Sequence, residues 1–271
     1  MENKIIGSGR TSDVIEYNGF VLKLYKEFNN NEYIDKEYYF SKFAFDHNIK
    51  TPEPKQIIYE NNRKGIVFEK INGKPLLKII LSNSLKLKQM IKIFVELQTS
   101  IHKIILNNSK YTFISYLNES IVENNLINDD TKAFLFNYIK TLPEGNNLCH
   151  GDFHPENILV DNNNFYIIDW MTGMQGNIAA DVARTEMIIK NAEVPGNISF
   201  VMKSIVRIFQ NKLSTMYIKE YCKINKLTKQ EIDIWKLPLY VARLNEDNNK
   251  AEENRLLKYI NKEIKKMIKT Q

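Results

Sequence analysis

At 271 residues the chain is long enough for one sizeable core or two unequal lobes, and 43% hydrophobic with 26% charged residues is the balance of a globular protein, with no apolar run long enough to cross a bilayer. The net charge of +6 comes from lysines scattered over the whole length, with no aromatic-interleaved basic cluster and no zinc spacing, which argues against nucleic acid as a partner. MENKIIGSGR has no apolar stretch ahead of a small-residue cleavage site, and Cys149 and Cys222 match no metal spacing, so a cytoplasmic protein with reduced thiols is expected.

The chain opens with strand-like segments, KIIGSG, TSDVIEY and FVLKLYKEF. Asn18-Gly19 stands between the last two, and both residues tolerate the positive φ that a tight type I′ hairpin turn demands. Residues 30 to 48 carry Tyr33, Ile34, Tyr38, Phe43 and Ala44 at roughly helical spacing, with Thr51-Pro52 just beyond the end. KQIIYEN and KGIVFEKI then read as two more strands. Residues 1–70 are therefore expected to form a small β-rich lobe with one long helix.

Past Asn72-Gly73 the pattern turns helical, as in Leu87, Ile91, Phe94, Ile101 and Ile105, so residues 71–271 are expected to form a larger, mainly helical lobe. NILV and FYIIDW interrupt it as a hairpin around Asp161 and three asparagines. Near the end, Leu256, Leu257, Ile260, Ile264, Met267 and Ile268 form an apolar stripe on a basic helix. Packing on its own lobe is the expected use of that stripe, and a membrane or partner surface is the alternative.

The densest collection of polar groups is HGDFHPENILV, residues 150–160. Phosphoryl transfer needs a carboxylate beside the attacking hydroxyl, an oxygen ligand for a metal close behind it, and a second carboxylate on the metal from another strand. Asp152, Asn157 and Asp169 supply that set. The first two lie five residues apart in a turn, and the hairpin brings the third back beside them. An amide and a carboxylate are hard oxygen ligands that suit Mg2+ held largely through phosphates and water. His150 and His154 read as structural, and Pro155 as a turn-setter. The loop GSGRTS has Gly7 and Gly9, which let a backbone approach phosphate oxygens, with Ser8, Thr11 and Ser12 as hydroxyl donors; it lacks the third glycine of a G-x-G-x-x-G loop.

His150-Gly151-Asp152, four residues, Asn157 and then Ile168-Asp169-Trp170 resemble the motif of the aminoglycoside phosphotransferase and choline kinase family. The order of glycine loop, lysine-bearing strand, helix with a central glutamate, hinge strand and helical lobe extends the resemblance over nearly the whole chain. It implies an α+β, protein-kinase-like bilobal fold and an ATP-dependent small-molecule kinase, with GTP also open as the nucleotide. It further implies that Asp152 is the catalytic base and that Asn157 and Asp169 hold magnesium on the phosphates. Lys23 would grip the α- and β-phosphates with Glu37 as its ion-pair partner, Lys26 and Glu32 being the rival positions. Gly7, Ser8 and Gly9 fall at the phosphates. Glu69 and Ile71 fall where backbone groups meet the purine, and Asp181 falls where an aspartate braces the catalytic loop. Cys149 reads as a buried small residue.

The resemblance leaves the hydroxyl acceptor open among amino-sugars, choline, homoserine and methylthioribose. Residues 200–271 hold sixteen Lys/Arg against eight Asp/Glu, unlike a site for a polycation, although Glu246, Asp247, Glu252 and Glu253 offer local acidity. Trp170, Trp235 and Tyr240 are candidate walls of an aromatic cage for choline. A protein kinase is disfavoured by HGD in place of HRD and by Trp170 where D-F-G has phenylalanine. A catalytically silent nucleotide-binding module is the reading from another class.

Overall fold

The computed structural model describes residues 5–27, 30–82, 84–192, 199–246 and 250–269. It falls into two compact units, Met1–Ile104 with His150–Gly173, and Ile105–Cys149 with Met174–Gln271.

The first unit is built on a five-stranded antiparallel sheet of β1 (Ile5–Ser8), β2 (Ser12–Tyr17), β3 (Phe20–Tyr25), β4 (Pro54–Glu60) and β5 (Arg63–Phe68), in the spatial order β1-β2-β3-β5-β4. Asn18 and Gly19 turn the β2–β3 hairpin at φ 48° and 83°, the left-handed pair their sequence demands. β3 is central, with Lys23 opposite Val14 on one side and Ile66 on the other. Successive side chains of a strand alternate between faces. Leu22 and Leu24 therefore join Ile15 and Val67 in one buried cluster, while Tyr25 joins Ile34 and Ile66 in another.

Helix α1 (Asn31–Asp46) begins where the Asn30 side chain accepts a hydrogen bond from the Glu32 N–H. It ends where Asn48, at φ 61°, lets the Ile49 N–H turn back to the Ala44 carbonyl. Its buried stripe is Ile34, Glu37, Phe40, Ser41 and Ala44, so a carboxylate lies on the core side between apolar neighbours. Burying a side chain such as Phe40 is worth about 1.5–3 kcal/mol, which is the term that fixes the helix in place. The same unit carries the helices Leu76–Ser82 and Leu87–His102, and the hairpin of Ile158–Asp161 with Asn164–Ile167. After the hairpin, Trp170–Thr172 makes a short turn whose Trp170 is buried and donates its indole N–H to Thr51 Oγ1. That turn packs on α1 so closely that a Cβ on Gly173 would stand 2.5 Å from Phe40 Cγ.

The second unit is mainly helical: Phe113–Glu123, Asp129–Ile139, Ile178–Asn191, Phe200–Asn225, Lys236–Leu244 and Lys250–Ile268 are its longer helices. Three-residue strands Asn147–Cys149 and Met174–Gly176 pair antiparallel. Leu256, Ile260 and Ile264 of the last helix are buried in its own unit, Leu257 and Met267 are half-buried, and Ile268 at the end of the stripe is exposed. The architecture is the expected α+β one, a β-sheet region with one long helix followed by mainly helical structure. Among the described residues no helix is long and apolar enough to cross a membrane.

Candidate active site

Strand alternation puts Lys23 and Tyr25 on the same face of β3, and the central position of the strand buries Tyr25 and leaves Lys23 only partly exposed. The Lys23 ammonium donates to both carboxylate oxygens of Glu37, at 2.7 and 2.9 Å, and to Asp169 Oδ1 at 3.0 Å. The Tyr25 hydroxyl donates to Glu37 Oε2 at 2.5 Å. Burial works to lower the Lys23 pKa, but the charges of Asp169 and Glu37 outweigh it and the ammonium keeps its proton far into the alkaline range. Burial pushes the Glu37 carboxyl upward, with Lys23 and Tyr25 pulling the other way, and burial also lifts the Tyr25 phenol well above its ordinary value. The rival positions are placed elsewhere. Lys26 donates to the Gly9 carbonyl at 2.7 Å, and Glu32 is exposed in the first turn of α1.

Asp169 has a left-handed backbone, φ 67° and ψ 65°, a conformation that costs a non-glycine residue about 1–3 kcal/mol and that aspartate tolerates better than most. The hairpin register explains its neighbourhood. Ile158 pairs with Ile167, and the Ile168 N–H donates to the Asn157 carbonyl at 2.9 Å, so Asn157 and Asp169 flank the same end of the hairpin.

The loop before the hairpin is fastened at several points. Gly151 sits at φ 75°, where only glycine is comfortable. Phe153 is fully buried and stacks on Phe94 at 4.7 Å. His150 is fully buried too: its Nδ1 accepts from the Asp152 N–H at 3.3 Å, which leaves Nε2 to carry the hydrogen toward the Ile168 carbonyl at 3.1 Å. Pro155 opens a 3-10 turn ending at Asn157. The Asn157 amide donates to the Asp152 carbonyl at 2.9 Å and to Asp152 Oδ2 at 3.0 Å. His154 Nε2 stands 3.4 Å from the same Oδ2. Burial lowers the His154 pKa, but the Asp152 carboxylate more than offsets it, so the net direction is upward.

A magnesium ion fits the donor set on chemical grounds. Asn157 spends its amide N–H groups on Asp152, so its side-chain carbonyl oxygen is the atom it could offer to a metal. Asp169 meets Lys23 through Oδ1, and its Oδ2 has no hydrogen-bond partner among the described residues. Both are hard oxygen donors.

In the glycine loop, the Gly9 N–H donates to the Ser12 carbonyl and the Lys26 N–H to the Thr11 carbonyl, so the turn closes on itself. The Ser8 hydroxyl is spent on Asp13 at 2.8 Å, and Arg63 grips the other Asp13 oxygen at 2.7 Å while donating to the Leu24 and Tyr25 carbonyls of β3. The Arg63 and Ser8 hydrogen bonds hold the Asp13 pKa below its ordinary value. At the other expected nucleotide position, the Glu69 N–H is taken by the Glu53 carbonyl at 2.9 Å. The Glu69 carbonyl and the Ile71 N–H have no partner among the described residues.

Tyr25, Asp13 and Arg63 were not singled out by the sequence. Tyr25 lies two residues after Lys23 on one strand face, a signal that was available; Arg63 reaches β3 from a neighbouring strand, and nothing local announces it. In the second unit, Asp181 is fully buried in its helix, and burial pushes the Cys149 thiol up, away from thiolate chemistry. The local acidity is committed to cations: Glu246 pairs with Arg184 and Arg243, Glu252 with Arg243, and Glu253 with Lys250. Asp247 lies outside the described residues. Trp170 and Trp235 are core residues of different units, 1% and 0% exposed, and Tyr240 packs on Tyr259 at 4.2 Å with the rings tilted by 34°.

The model of the phosphotransferase enzyme family matches residues 3–195. The chain belongs to that family. No curated protein matches it in sequence. Among solved structures, it is similar to an aminoglycoside phosphotransferase of type APH(4)-Ia, at 14% identity over 94% of this chain and 90% of that one, with a TM-score of 0.65. An amicoumacin kinase in complex with AMP-PNP, Ca2+ and Ami is similar at 14% identity over 98% and 88%, TM-score 0.64. The choline kinase of Cryptosporidium parvum Iowa II is similar at 17% identity over 99% and 90%, TM-score 0.54. At these identities the likeness is one of fold, and it makes this phosphotransferase protein-kinase-like.

Proposed function

We propose that this phosphotransferase is a small-molecule kinase that moves the γ-phosphoryl group of ATP, or GTP, onto a hydroxyl of a small acceptor. The reading divides the chain near residue 71 into a nucleotide-binding part and an acceptor-binding part. Its main support is the Lys23 ammonium held by Glu37 and Asp169 at once, because phosphoryl transfer needs a fixed cation and a metal carboxylate side by side.

Asp152 accepts the acceptor's hydroxyl proton as the acceptor oxygen bonds to phosphorus and the bond from phosphorus to the nucleoside diphosphate breaks. Asn157 and Asp169 hold Mg2+, which when bound neutralises charge on the phosphate oxygens. Lys23, kept in place by Glu37, contacts the α- and β-phosphates. Gly7 and Ser8 face the phosphates through their backbone, since the Ser8 hydroxyl is committed to Asp13, and Gly9, whose N–H is taken by the Ser12 carbonyl, contributes by leaving room for the phosphate oxygens. The Glu69 carbonyl and Ile71 N–H receive the purine edge. Catalysis on this reading is mostly positioning and charge neutralisation.

Asp152→Ala should lower turnover by about 10² to 10⁴ while Mg-nucleotide binding survives. Turnover at the wild-type level would remove Asp152 from the role. Asp169→Ala should weaken Mg-nucleotide binding, and unchanged affinity by calorimetry would count against the metal assignment.

A further inference from the structure

We propose that His154 is a positioning residue for Asp152, meeting the same carboxylate oxygen as Asn157 so that the proton-accepting oxygen is aimed at the acceptor. This rests on the reading of Asp152 as the base.

The observation behind it is a convergence. Asp152 Oδ2 receives the Asn157 amide at 3.0 Å and has His154 Nε2 at 3.4 Å. Asn157 is itself needed for the metal, so its hold on Asp152 ties the carboxylate to the ion. The histidine contact has no such second duty. His154 has an extended backbone, φ −148° and ψ 164°, just before the 3-10 turn, and the Asn157 N–H donates to its carbonyl at 2.9 Å. The backbone of residue 154 is thus fixed by the turn that presents Asn157, and its ring is returned toward Asp152, 19% exposed against 33% for the carboxylate. A ring that only filled space would have no need to present nitrogen to a carboxylate oxygen. The Asn157 hydrogen bond and the His154 ring contact on the same oxygen together restrict rotation of the carboxylate about its Cβ–Cγ bond, and a misplaced base costs up to about 10² in rate.

The test uses the full-length chain with Mg·ATP and water as the acceptor, following ADP release, together with calorimetry of Mg·AMP-PNP binding. His154→Ala is expected to lower turnover about ten- to a hundredfold, with nucleotide Kd and thermal midpoint close to wild type. His154→Gln, which keeps an N–H near the Nε2 position, should recover most of the loss. In an Asp152→Ala background, adding His154→Ala should cost nothing further, because the ring then has no base to aim. A wild-type rate in His154→Ala, equal impairment of the Ala and Gln variants, or a loss that tracks falling nucleotide affinity would overturn the inference. Absence of ADP release by the wild type, or an Asp152→Ala rate equal to it, would instead sink the underlying assignment of the base.

Discussion

Two lysines in this protein each stand between two carboxylates. Lys23 meets Glu37 at 2.7 Å and Asp169 at 3.0 Å, and Lys236 meets Glu186 at 2.7 Å and Asp233 at 2.6 Å. Their side chains are almost equally buried, 14% and 15% exposed, and in both the carboxylates overcome burial and hold the proton on. The backbones differ. Asp233 is three residues from Lys236, and Glu186 is further paired with Lys190 one helical turn away, so ordinary helix geometry supplies most of the contacts. Lys23, Glu37 and Asp169 come from a strand, a helix and a left-handed residue far along the chain, and the last of these stands in a costly conformation. A lysine between carboxylates is therefore common structural material. What separates the first cluster is backbone cost at Asp169 and an oxygen there that has no hydrogen-bond partner among the described residues.

The comparison is most sharply broken by removing each lysine. Lys23→Ala should lower turnover by about 10²–10³, the range for deleting one preorganised charge-stabilising donor, with the effect read in steady-state kinetics. Lys236→Ala should leave turnover per folded molecule unchanged and lower unfolding free energy by about 2 kcal/mol in urea titrations, since it removes a charged hydrogen-bond partner from a buried carboxylate that keeps only Lys190 among the described residues. A kinetic defect in the second variant would erase the distinction. Tyr25→Phe removes one hydrogen bond to a charged group and should cost about 2 kcal/mol of stability, with a weaker nucleotide KM as Glu37 loses its second anchor.

The smallest effect belongs to the loop tie. Because the folded pKa of Asp13 lies below its unfolded value, its ionised form stabilises the fold above that value, and the contribution disappears as pH falls through the folded pKa. Asp13→Asn should therefore be less stable than wild type at neutral pH, and the two curves should converge in acid-unfolding experiments as pH falls below the ordinary aspartate range.

Much of this site was legible because its chemistry is compressed into local spacing. Asp152 and Asn157 are five residues apart, and a two-stranded hairpin with asparagines at its tip is the shortest way to return Asp169 to them. Lys23 is favoured over Lys26 by its apolar flanks and Glu37 over Glu32 by its place in mid-helix, and in the structure Lys23 and Glu37 form one ion pair while Lys26 donates to the Gly9 carbonyl. The strands Asn147–Cys149 and Met174–Gly176 are too short for any alternation to register. The tryptophans misled in a different manner. A ring can wall a cage for a cation only where it reaches a cleft, and both Trp170 and Trp235 are core filling.

Gly173 has an evolutionary consequence. Its missing methyl is the space in which Phe40 sits, and Phe40 is one turn of helix from Glu37. A heavier residue at 173 would push the ring, the ring would push the helix, and the glutamate would back away from its ammonium partner. Lineages descended from this sequence should thus exchange positions 40 and 173 together, shrinking one wherever the other grows.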